Sequence, residues 1–114
     1  MNAYVYPGLT EIDPYYIIKK ICEFYNVLPE DLRKKTRKTE IRKPRQIAQY
    51  IIYDRFNEKL TQESIAAIFK QKHSTLCYSK KVVNNQLQTD KKFKKEYEDL
   101  IATIGEKLPR INVN

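Results

Sequence analysis

A chain of 114 residues has room for one modest hydrophobic core, and not for that core plus a separate catalytic domain. Two glycines and five prolines leave few breaks, and Leu, Ile, Lys and Glu recur at helical spacing, which predicts an all-α fold. The formal charge of +8 is concentrated: Arg33, Lys34, Lys35, Arg37, Lys38, Arg42, Lys43 and Arg45 oppose Glu40 alone, so one stretch carries +7 and predicts a strongly positive face suited to a polyanion.

Residues 1–13 carry Tyr4, Tyr6 and the Pro7-Gly8 turn signal without helical periodicity and are expected to form an irregular arm. Asp13 as N-cap and Pro14 as first helical residue open a helix that should run to Tyr25, with Ile17, Ile18, Ile21, Cys22 and Tyr25 on one face. Asn26 should end it, and a short helical turn should follow Pro29. The basic segment 33–45 then reads as a linker, with Pro44 opening a second helix whose stripe is Ile47, Ala48, Ile51 and Ile52, ending near Phe56 and Asn57.

Thr61 is the expected N-cap of a short third helix that turns Ile65, Ala66, Ile68 and Phe69 inward. A polar break, Lys70-Gln71-Lys72-His73, separates it from a fourth helix capped by Ser74, with Leu76, Ser79, Val83 and Leu87 inside. Two helices joined by so short a turn make a helix-turn-helix, here spanning about 61–87. Asp90 should cap a fifth helix bearing Phe93, Tyr97, Leu100, Ile101 and Ile104, with Gly105 and Pro109 as stop signals; the helical domain is thus expected over 14–104 and a tail over 105–114.

A helix-turn-helix reads duplex DNA by setting the N-terminal end of its second helix against base edges in the major groove. That end is Lys72-His73-Ser74-Thr75, residues able to donate to or accept from bases, inside a second basic excess of +4 that comes from Lys70, Lys72, Lys80 and Lys81. A basic segment beside such a unit can follow the backbone or place an arginine, here Arg37, in the adjacent minor groove. Lys34, Lys35, Arg42, Lys43 and Arg45 are the expected phosphate ligands. If about six side chains neutralise phosphates, affinity should fall on the order of a thousandfold between 50 and 200 mM salt.

These segments resemble the C-terminal DNA-binding domain of the bacterial replication initiator DnaA, a fold related to the Trp repressor. The likeness rests on the lead-in CEFYNVLPEDL, the linker KKTRKTEIRKPRQIAQYII, the first helix of the pair ESIAAIF and the recognition segment KHSTLCYSKKV, in order over about Ile17 to Ile104. The family's arginine-proline-arginine-glutamine signature appears as Lys43-Pro44-Arg45-Gln46, and its aspartate-histidine-threonine-threonine signature as Lys72-His73-Ser74-Thr75. The resemblance implies that Arg37 takes the minor groove, and that Lys72, His73, Ser74 and Thr75 read bases in a replication origin or regulate such a site.

Three departures stand out. The turn after Phe69 lacks the family's glycine pair and is one residue shorter. Lysine, a donor suited to guanine, stands at Lys72 in place of an acceptor suited to cytosine, so a different DNA box is expected. Tyr78 replaces a histidine further along the recognition helix.

Other chemistries find little support. The initiator's ATPase needs a glycine-rich phosphate loop, and Gly8 and Gly105 are the only glycines, so no nucleotide or other cofactor and no enzyme activity are expected. Cys22, His73 and Cys77 have no zinc-module spacing, so no metal is expected, and two unpaired cysteines suit a reducing cytoplasm. No apolar run approaches a membrane span, and the first residues lack a secretory pattern. The expected partner is double-stranded DNA, bound by a monomer, with replication proteins as further candidates. The rivals are a transcriptional regulator and a protein-interaction module using Tyr4, Tyr6, Tyr15 and Tyr16 against an acidic partner. An RNA role is disfavoured because the basic segments lack aromatic stacking residues.

Overall fold

The computed structural model describes residues 14–105, five α-helices and one 3-10 turn, with no strand among them. They are α1 (Pro14–Tyr25), the turn Pro29–Arg33, α2 (Thr39–Phe56), α3 (Gln62–Ile68), α4 (His73–Thr89) and α5 (Lys91–Gly105). The Asp13 cap, the tyrosine arm and Pro109 lie outside the described residues.

The core follows from helical periodicity. Ile17, Ile18, Ile21 and Cys22 form one stripe of α1, and Ile47, Ala48, Ile51 and Ile52 form the stripe of α2; all are buried. Leu32, Ile65, Ala66, Phe69, Leu76, Val83, Phe93, Leu100 and Ile104 join them in a single cluster. Ile68, Leu87, Tyr97 and Ile101, expected inside, are partly buried at its edge. Helix α2 is central, packing against α1, α3, α4 and the 3-10 turn, while α5 closes the far side against α1 and α4.

The expected starts of two helices are corrected. Helix α2 begins at Thr39, with Pro44 in its sixth position and not its first. The Lys38 carbonyl accepts the amides of Ile41 and Arg42 at 3.0 and 2.7 Å, and Ile41 packs against the core, so the helix nucleates before the proline. Proline then removes only the amide that would bond the Glu40 carbonyl, and Glu40 is solvent-exposed. The basic segment is therefore an irregular stretch followed by two turns of helix.

Helix α4 begins at His73, with Lys72 as N-cap, so Ser74 is its second residue and caps nothing. The cause lies in the preceding turn. Lys70 adopts a left-handed backbone with φ 56°, the Lys70 amide bonds the Ala67 carbonyl at 2.9 Å and the Gln71 amide bonds the Ala66 carbonyl at 3.0 Å. This is a Schellman closure, which reverses the chain in two residues and makes the family's glycine pair unnecessary. Asn26, with φ 58°, ends α1 the same way, and the Val27 amide reaches the Cys22 carbonyl at 3.0 Å.

Two caps match the sequence reading. The Thr61 hydroxyl accepts the Ser64 amide at 3.0 Å, and an Asp90 carboxylate oxygen accepts the amides of Lys92 and Phe93, each at 3.0 Å.

A polar cluster ties α1, α2 and α5 together. The Tyr25 hydroxyl donates to Glu96 at 2.5 Å, and Lys43 Nζ lies 3.0 Å from each Glu96 carboxylate oxygen. Lys43 also sits over the Tyr25 and Phe93 rings at 5.8 and 5.7 Å. Burial alone would raise the Glu96 carboxyl, but the hydrogen bonds from Tyr25 and Lys43 outweigh it and hold it below its ordinary value. Burial and the Glu96 hydrogen bond together push the Tyr25 phenol up.

Two outcomes are expected. Lys70→Gly removes the steric cost of a left-handed non-glycine residue and should stabilise the fold by about 0.5–1 kcal/mol in urea unfolding; a loss would mean the Lys70 side chain matters more than its backbone. Because the folded Glu96 carboxyl is lowered from 4.5, its contribution is present above that value and fades as pH falls through the folded value. Glu96→Gln should therefore cost about 1 kcal/mol near neutrality and less on acidification, tracked by thermal melts from pH 7 to 3.

Candidate nucleic-acid interface

Helices α3 and α4, joined by residues 69–72, form the helix-turn-helix. At its exposed corner stand Lys72, His73 and Ser74, all solvent-accessible, with Thr75 half-buried behind them. His73 is exposed but held: its Nε2 lies 2.7 Å from Gln62 Oε1, and Cys77 Sγ lies 3.5 Å from both atoms. Tyr78 projects from the next turn and is 62% exposed, so it does not stack inward.

The basic segment lies alongside. Lys35, Arg37 and Arg42 border one open groove together with Thr75, Tyr78 and Ser79 of α4. Residues more than 30 positions apart in sequence thus share a surface. Lys35, Arg37 and Arg42 are exposed, and none is ion-paired among the described residues. Lys34 is exposed too, paired with Asp31 at 3.0 Å. Lys34 and the Leu28 amide hold the Asp31 carboxyl below its ordinary value.

Two of the expected phosphate ligands have other occupations. Arg45 is only 6% exposed, donating from Nη1 to the Lys34 carbonyl at 3.0 Å and from Nη2 to the Thr36 carbonyl at 2.9 Å. Burial and neighbouring Arg42 lower its guanidinium pKa, yet an arginine remains charged and the two carbonyls compensate its desolvation. Its effect is to clamp the segment that displays Lys35 and Arg37. Lys43 is occupied by Glu96 and the two rings described above.

Further anchors were not legible in the sequence. Gln49, fully buried on α2, donates to Gln71 Oε1 in the turn at 2.5 Å. The Arg33 Nε–H donates to the Ile68 carbonyl at the end of α3, at 3.1 Å. Lys80 sits 3.3 Å from the centroid of the Tyr53 ring, joining α4 to α2. Glutamine and arginine are ordinary surface residues in a sequence, and no local pattern marks partners 22 or 35 positions away. The Gln62 contact with His73 was missed for the same reason.

Among the described residues no cluster of three metal-ligating side chains occurs, and no helix is long and apolar enough to cross a membrane. Burial raises the Cys22 thiol to about 11, helped by Asp31, Glu30 and Glu23, so this cysteine is a core residue. Of the tyrosines considered for a protein contact, Tyr15 is exposed, Tyr16 is half-buried, and Tyr4 and Tyr6 lie outside the described residues.

The chromosomal replication initiator protein DnaA of Wolbachia pipientis wMel is 36% identical over 84 residues, 70% of this chain and 17% of that protein. The DnaA of Mycoplasma pneumoniae is 31% identical over 78 residues, 68% of this chain and 17% of its own length. That of Caldanaerobacter subterraneus subsp. tengcongensis is 30% identical over 93 residues, 79% and 20% respectively. The chain thus spans about a fifth or less of these relatives. Residues 14–83 match the model of the bacterial DnaA protein helix-turn-helix, a DNA-binding domain and not an enzyme domain, and the chain belongs to that family.

Proposed function

We propose that this domain binds double-stranded DNA sequence-specifically, acting in replication-origin recognition or its regulation. The N-terminal end of α4 enters the major groove, where Lys72, His73, Ser74 and Thr75 read base edges. Arg37 takes the neighbouring minor groove. The observation that carries this reading is the shared groove of Lys35, Arg37 and Arg42 with Thr75 and Tyr78, which puts the basic segment and the recognition helix on one surface. One domain binds one asymmetric box as a monomer in the bacterial cytoplasm, and replication proteins are its further partners.

The division of labour among the basic residues follows from their contacts. Lys34, Lys35 and Arg42 are exposed and serve as phosphate ligands, and Lys43 and Arg45 hold the fold that presents them. With about three phosphates neutralised instead of six, affinity should fall about fortyfold between 50 and 200 mM salt.

The direct test is selection from a random duplex library at near-physiological salt, where non-specific phosphate binding is suppressed. Enrichment of one defined box is expected, and no enrichment would defeat the proposal. Variants then separate the roles by binding to the selected box and to random duplex. Lys72→Ala should cost roughly 1–3 kcal/mol on the box and little on random DNA, whereas Lys35→Ala should weaken both alike. Arg45→Met should reduce discrimination between the two, because the segment carrying Arg37 loses its clamp; equal weakening on both would make Arg45 a phosphate ligand after all.

A further inference from the structure

The first residues of the two helices of the pair, Gln62 and His73, meet through their side chains. A glutamine Oε1 only accepts hydrogen bonds. With that oxygen facing His73 Nε2 at 2.7 Å, the ring nitrogen is the donor of the pair and carries the proton. Cys77 Sγ lies 3.5 Å from the same Oε1, positioned for its thiol to donate there as well. In a neutral imidazole with a protonated Nε2, the other ring nitrogen is an acceptor. The ring is solvent-exposed and stands at the corner of the recognition helix.

We infer that Gln62 is a specificity-determining positioning residue: by holding the His73 ring in its Nε2–H form, it presents Nδ1 as an acceptor and selects a base that offers an exocyclic amine. In the major groove these are adenine, through N6–H2, and cytosine, through N4–H2; guanine O6 and N7 and thymine O4 are acceptors and are refused. This inference rests on the proposed reading of His73 as a base contact. It adds a residue on the first helix of the pair, which itself touches no base, as the selector of the base at one position. Selectivity then depends on a hydrogen bond made before DNA arrives, so its cost is met in the folded protein and not at binding.

The test begins with the wild-type chain. It contains a single histidine, so the nitrogen-15 spectrum of its imidazole at pH 8 reports one tautomer without ambiguity. The expected result is protonation at Nε2 in the free protein; protonation at Nδ1 overturns the inference without recourse to any variant. The second part is duplex selection with wild type, Gln62→Leu and Gln62→Glu. The relevant column of the box is the one that loses information in His73→Ala. Wild type should favour adenine or cytosine there. Gln62→Leu should mix the tautomers and lower the preference for amine-bearing bases about fivefold, the worth of one hydrogen bond. Gln62→Glu keeps an acceptor in place and should retain both the Nε2–H form and the preference, whatever it does to overall affinity. A box enriched by wild type whose column is unchanged in Gln62→Leu would overturn the inference and leave the proposed function standing. The absence of any box would defeat both.

Discussion

One face of α2 carries two tasks that ordinarily conflict. Ile47, Ala48, Ile51 and Ile52 bury the apolar stripe on which α1, α3 and α4 pack, while Arg45 and Gln49, spaced four residues apart and also buried, reach out of that core to polar partners. Arg45 holds the carbonyls of Lys34 and Thr36, and Gln49 holds Gln71. The two segments proposed to meet DNA, the basic stretch and the helix-turn-helix turn, are thereby referred to one rigid helix. The Arg45 guanidinium and the Gln49 amide nitrogen are costly to bury without acceptors, so each partner segment is held where it supplies them; Gln49 Oε1, also buried, has no hydrogen-bond partner among the described residues.

That arrangement explains why so little flexibility is needed. A basic arm free in solution would lose conformational entropy on binding, and clamping it to α2 moves part of that loss into folding. Arg33 works to the same end by donating to the last turn of α3 through the Ile68 carbonyl. Lys43, meanwhile, is drawn away from the positive face by Glu96 and two aromatic rings. Net charge is thus a poor count of phosphate ligands: of five expected, Lys34, Lys35 and Arg42 remain available, and two have structural duties.

The turn of the helix-turn-helix shows another economy. A left-handed residue is needed to reverse the chain after Phe69, and Lys70 supplies it at a steric cost that glycine would avoid. Gln71 then follows directly, donates its amide to Ala66 and accepts from Gln49. Closing the turn in two residues makes His73 the first residue of α4 and brings it within hydrogen-bonding distance of Gln62, the first residue of α3. The short turn and the held histidine are consequences of the same backbone geometry.

Sequence alone determined what short-range periodicity and capping chemistry can specify: α1 from Pro14 to Tyr25, the Asn26 stop, the apolar stripes of α1 and α2, and the caps at Thr61 and Asp90. Each of these depends on residues within a few positions of one another, so the pattern is visible without a fold. Local charge marked the basic stretch, the short polar break marked the recognition corner, and the family motifs matched both. Tertiary structure decided the rest. Pro44 lies inside α2 because Ile41 has core to pack against, and Ser74 loses its cap because Lys70 closes the turn early. The buried roles of Arg45 and Gln49, and the hold of Gln62 on His73, arise from contacts 9 to 22 positions apart, where residue type is no guide to partner. Charge and polarity say that such groups need partners; only the packing of α2, α3 and α4 says which ones they find.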